Sequence, residues 1–185
     1  MKLKIAALLG LATGMAQAVI SIGSGPDSSY LVLESPNLGV REYEVFYTYD
    51  ANDPMDAGDL LLLADDADTE IIFSISNFGT TEQPNLFLGA VEFNGTTETG
   101  SGSSYWAQWV SGGEAGYPTA NPVADGVWSF GSGSSYPYRI IEPGSSDAFV
   151  FGDGSISPSV APIPEPASSG LVLLASLSLL VRRRR

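Results

Sequence analysis

Three tryptophans, Trp106, Trp109 and Trp128, lie in a Gly- and Ser-rich stretch together with Tyr105, Tyr117, Phe130, Tyr136 and Tyr138. Aromatic faces beside short loops can stack on sugar rings or other planar ligands, and Tyr and Trp add polar tips that orient what they hold. The same residues also suit the interior of a small β domain, because large aromatics dominate such cores. Trp106 and Trp109 are three apart and cannot share one face of a strand, so one of them is expected to face outward. The three tryptophans are therefore the candidate ligand-binding residues.

A second group with chemical potential is the acidic run Asp50, Asn52, Asp53, Asp56, Asp59, Asp65, Asp66 and Asp68. Closely spaced oxygen ligands can hold calcium, but an EF-hand spacing fails: Pro54, Met55 and Leu61 stand where an acid or amide, a glycine and the closing glutamate are required. The run reads as a solvated loop, and no metal or cofactor is expected.

Composition removes many other chemistries. Histidine and cysteine are absent, and the two lysines are Lys2 and Lys4. A disulfide scaffold, a His/Cys zinc site, a Ser-His-Asp or Cys-His nucleophile, a lysine Schiff base and a Walker-type phosphate loop each lack an essential side chain. Carboxylate-pair glycoside hydrolysis needs no missing residue type, but no recognisable spacing signals it. A non-enzymatic protein is the expectation. Between Val19 and Ile163, Arg41 and Arg139 are the cations set against 20 acids, a net of −18. Such a surface repels phosphate backbones, which excludes nucleic acid as a partner.

The elements that must carry these residues are mostly strands. Short β-rich runs alternate with Gly, Ser, Pro, Asn and Asp clusters, predicting strands over 30–34, 40–49, 70–76, 86–93, 105–110, 127–130, 138–141 and 148–151. In the second run Tyr43, Val45, Tyr47 and Tyr49 share one face, which should be buried, while Phe46 on the other face implies partial cover there too. Asn94-Gly95 predicts a type I′ hairpin, whose two central residues need positive φ. One short helix is predicted over 56–64, with Asp56 as N-cap and Asp59 at the positive end of its dipole, although Leu60 to Leu63 fit a buried strand equally well. Gly-Ser-Gly-Ser-Ser-Tyr occurs at 100–105 and again at 131–136, and because the flanking residues differ the two copies read as similar flexible loops. The fold class expected is mainly β: a single antiparallel, sandwich-like domain over 19–151 with one short helix. A Gly/Ser/Pro linker follows over 152–163.

Both ends carry targeting patterns. Lys2 and Lys4 precede an apolar run, and Ala16-Gln17-Ala18 is a small-x-small cleavage site, so residues 1–18 read as a signal peptide removed after Ala18. At the other end Pro164-Glu165-Pro166-Ala167 opens a segment over 164–185. Its uncharged run, 167–181, ends in Arg182, Arg183, Arg184 and Arg185. Consecutive Leu171, Val172, Leu173 and Leu174 leave no polar face for packing on a domain, so the run is read as a short transmembrane helix. At roughly 1.5 Å per residue it reaches about 22 Å, short of the ~30 Å hydrocarbon core, so snorkelling arginines or local thinning must make up the difference. The arginine block acts as a membrane stop on the cytoplasmic side.

Taken in order, the Pro-Glu-Pro segment, the apolar run and the arginine block resemble the PEP-CTERM sorting signal of Gram-negative envelope and extracellular proteins. The resemblance covers residues 161–185. It implies recognition by an exosortase-type protease or transpeptidase, transient anchoring in the inner membrane, and then release or transfer to the cell surface, with extracellular polysaccharide a possible partner. It carries no activity for the domain itself. The expected function is an exported cell-envelope or extracellular-matrix protein, the alternative an extracytoplasmic binding module for carbohydrate or another small ligand using Trp106, Trp109 and Trp128.

Overall fold

The computed structural model describes residues 19–79, 86–116, 119–131, 133–135 and 138–162. The expected signal peptide with Ala16 and Ala18, and the expected sorting segment with Pro164, Glu165, Pro166, Ala167 and Arg182 to Arg185, lie outside the described residues. No described helix is long and apolar enough to cross a membrane. In chain order the elements are β1 (Ile20–Gly23), β2 (Asp27–Ser35), β3 (Gly39–Tyr47), α1 (Ala57–Ala67), β4 (Ile71–Asn77), β5 (Leu86–Phe93), β6 (Thr96–Thr99), β7 (Tyr105–Ser111), β8 (Glu114–Ala115), β9 (Asn121–Pro122), β10 (Ser129–Phe130), β11 (Arg139–Ile140) and β12 (Ser146–Gly152).

The fold is mainly β with one helix, but the largest sheet is not purely antiparallel. Its strand order is β1-β3-β2-β12-β7-β10, and β1 with β3 and β12 with β2 run parallel. The first parallel pair has a local cause. The link from β1 to β2 crosses the end of β3 at Tyr47, which sets β1 on the far edge of β3 instead of beside β2. Gly25, at φ 152, makes the crossing possible, since a Cβ there would collide with the Tyr47 carbonyl. The second parallel pair joins strands more than a hundred residues apart, a pairing that no local signal announces. Two three-stranded sheets, β4-β5-β6 and β11-β8-β9, are antiparallel.

Alternation puts Tyr43, Val45 and Tyr47 of β3 inward, each no more than 5% exposed, with Glu42, Glu44 and Phe46 half-buried opposite. Leu31 and Leu33 of β2, Leu60 and Leu61 of α1, Phe73 of β4, Leu88 of β5, Trp106 of β7 and Phe149 of β12 join them in one apolar cluster. The second face of the large sheet is covered as well, for Val32 and Ala148 are fully buried. Residues 153–162 have no regular structure, yet they are tied down on that side. Ser159 N donates to Glu34 Oε2 at 2.7 Å, Trp128 Nε1 donates to Val160 O at 2.7 Å, and Pro158 and Pro162 are buried.

The Asn94-Gly95 turn joins β5 to β6 with φ of 51° and 75°, as a type I′ turn demands. At α1 the helix prevails over a strand because its first turn is capped twice. Asp56 accepts from Asp59 N and Asp59 accepts from Asp56 N, both at 3.0 Å, while the Ser134 carbonyl takes the N–H groups of Ala57 and Gly58. Asp56→Ala is expected to cost about 0.5–2 kcal/mol, measured as a lowered urea midpoint with unchanged slope. The two Gly-Ser copies differ in role. The first makes an exposed turn closed by a Ser101–Ser104 bridge, whereas Ser134 and Ser135 of the second are buried, Ser135 Oγ accepting from Leu86 N at 2.7 Å.

Candidate functional site

A cavity of about 410 Å³ opens between β5 of the small sheet and β7 and β10 of the large one. Phe87 and Phe130, 44% and 53% exposed, stand on its walls, and buried Leu88, Trp106 and Phe149 also line it. Its polar lining comes from Tyr105, Gln108 and Ser134, and no carboxylate or cation is among the described residues that line it. Among the described residues the recess is uncharged and aromatic-walled, which in so acidic a domain suits a neutral ligand with an apolar face.

Trp106 and Gln108 are two apart on β7 and therefore share a face. Trp106 is 2% exposed, its ring 5.3 Å from Phe151 and its Nε1 donating to Glu98 O at 3.2 Å. Trp109 points to the other face, half-buried, edge-on to Phe130 at 5.4 Å, and its Nε1 has no partner among the described residues. Trp128 bonds the C-terminal segment. Of the three tryptophans singled out from the sequence, only Trp106 lines the cavity; Trp109 adjoins it through Phe130, and Trp128 does not line it.

Behind Gln108 lies a fully buried ion pair that the sequence did not disclose. Arg139 Nε and Nη2 both donate to Asp147 Oδ2, at 2.8 and 2.5 Å, and Arg139 Nη1 donates to the Gly112 carbonyl at 2.6 Å. Both side chains are 0% exposed. The other carboxylate oxygen, Asp147 Oδ1, accepts from Gln108 Nε2 at 2.9 Å. A carboxylate only accepts, so this bond fixes which end of the Gln108 amide is which. Gln108 Oε1 is thereby turned toward Gly131, where an added Cβ would lie 2.7 Å away, and the oxygen is buried with no partner among the described residues. A lone Arg next to Ile140 and Ile141 was the available hint, since a cation in an apolar segment must find an anion.

The domain's other cation is also engaged. Arg41 Nε reaches Asp68 Oδ2 at 2.8 Å and its Nη2 reaches Glu70 at 2.9 Å, with the guanidinium 5.6 Å from the Phe93 ring centre. Burial pushes the Asp68 carboxyl upward, but the Tyr43 hydroxyl at 2.7 Å, the Glu70 N–H and Arg41 together outweigh it and hold the carboxyl below 3.8, its ordinary value. A depressed carboxylate contributes stability that is full above that ordinary value and is lost as pH falls through the folded one. Acid is therefore expected to destabilise the domain below about pH 4, and Asp68→Asn is expected to flatten that part of the profile in urea titrations at stepped pH.

The acidic run divides into separate structural tasks. Asp50 accepts from Asn52 N at 2.8 Å, Asp56 and Asp59 cap α1, Asp65 accepts from Phe73 N at 2.9 Å, and Asp68 anchors Arg41. Among the described residues no group of three or more acids could hold a metal ion. The chain matches no family model, no curated protein and no solved structure.

Proposed function

We propose that this chain is an exported, non-enzymatic cell-envelope or extracellular-matrix protein. In this reading it is carried out by the signal peptide 1–18, anchored for a time in the inner membrane by 167–185, and trimmed near Pro164-Glu165-Pro166 by an exosortase-type protease or transpeptidase. The observation that carries the reading is the order of three tail elements: the Pro-Glu-Pro segment, the uncharged run and the arginine block. The acidic domain supports it, because a net of −18 between Val19 and Ile163 keeps a surface-displayed protein hydrated and dispersed. The sandwich-like stacking of the six-stranded sheet on the β4-β5-β6 sheet belongs to the same reading, supported by the apolar cluster that both of them share.

The test replaces Pro164, Glu165 and Pro166 with alanine. The variant is expected to stay untrimmed in the inner-membrane fraction while the parent chain reaches the surface or the medium. Normal trimming and normal release of the variant would contradict the proposal.

A second reading, an extracytoplasmic binding module for carbohydrate or another small ligand, is favoured by one specific observation. The cavity beside Trp106 has the volume and the aromatic lining of a small-molecule site.

A further inference from the structure

Most buried amide oxygens find a donor, because leaving one unpaired forfeits its hydration without replacement. Gln108 Oε1 is such an oxygen, on a residue 8% exposed, and three features surround it. Its orientation is imposed from behind by the Arg139–Asp147 pair. Gly131, which lines the cavity, packs directly against the amide, and a Cβ there would lie 2.7 Å from the oxygen. The apolar rings of Phe87, Phe130 and Trp106 line the same cavity.

We infer that the cavity binds an uncharged molecule with one flat apolar face and one hydroxyl, the face lying on the aromatic walls and the hydroxyl donating to Gln108 Oε1. This rests on the reading of the domain as a binding module and adds the ligand chemistry and the residue that selects it. A sugar ring and a phenol both present that chemistry. Anions are rejected twice, by the negative domain at long range and by a lining whose described residues hold no cation to compensate a buried carboxylate.

The test titrates the chain as isolated from producing cells with p-cresol, its methyl ether 4-methylanisole, methyl β-glucoside and 4-hydroxybenzoate, following tryptophan fluorescence. Saturable binding of p-cresol or of the glucoside is expected, and which of the two binds tells phenol from sugar. Should p-cresol bind, the ether and 4-hydroxybenzoate are each expected to be about tenfold weaker or worse. Gly131→Ala, which crowds the oxygen, is expected to weaken the neutral donor about tenfold. Phe130→Ala, at a half-exposed wall, is expected to weaken every neutral probe, and circular dichroism checks that both variants fold. Equal affinity for p-cresol and its ether, or a binding glucoside untouched by Gly131→Ala, overturns the role of Gln108 while leaving a binding module. Failure of every probe overturns the module and the inference together.

Discussion

Asp147→Ala is expected to destabilise the domain by about 3–5 kcal/mol, because it strands the Arg139 guanidinium in a site with no access to water. Arg139 and Asp147 are both 0% exposed, and the carboxylate also holds Gln108, so one deletion leaves unpaired donors on two residues. A domain of this size has on the order of 5–15 kcal/mol of stability, so the variant is expected to unfold in mild urea or to accumulate poorly. Removing both charges together, Arg139→Met with Asp147→Leu, should cost far less, since a buried pair roughly cancels its own desolvation. Urea denaturation followed by far-ultraviolet circular dichroism measures both. A double variant as unstable as the single one would show that the site depends on specific bonds to Gly112 and Gln108 beyond its charge balance.

Trp106→Ala is expected to cost a similar 3–5 kcal/mol, from lost apolar contact and the void it leaves. The indole is enclosed against Phe151 and belongs to the cluster joining both sheets, so collapse around the void would have to move β7 and β12 together. Trp106→Phe keeps the ring contact and loses the bond to the Glu98 carbonyl, and a milder loss of about 1 kcal/mol is expected. Chemical denaturation at matched pH separates the two.

What could be read from the sequence was what neighbouring residues decide. Tyr43, Val45 and Tyr47 alternate inward because the period of a strand leaves no choice once one face is buried. Asn94-Gly95 makes its turn because few other pairs accept positive φ twice, and Asp56 caps α1 because its carboxylate meets an orphan N–H three residues on. What escaped was decided across the chain. The parallel pairing of β12 with β2 depends on long-range closure, and the two-residue strands β8 and β9 exist only because they pair. The site shows the same division. Trp106 could be named as a candidate from its type, yet its neighbours there, Phe87 and Phe149, come from strands far away in sequence. Gln108 stands out only once Asp147 is seen to hold one end of its amide, and nothing about a glutamine between Ala107 and Trp109 announces that.

Export and trimming near Pro164-Glu165-Pro166, as proposed, are decided by the intact mass of the protein recovered from fractionated cells. The expected result is a surface or extracellular species that begins at Val19 and lacks the apolar run and Arg182 to Arg185, together with a longer, membrane-bound form in cells without the processing enzyme. A single full-length species in the cytosol, carrying both Met1 and Arg185, would contradict it.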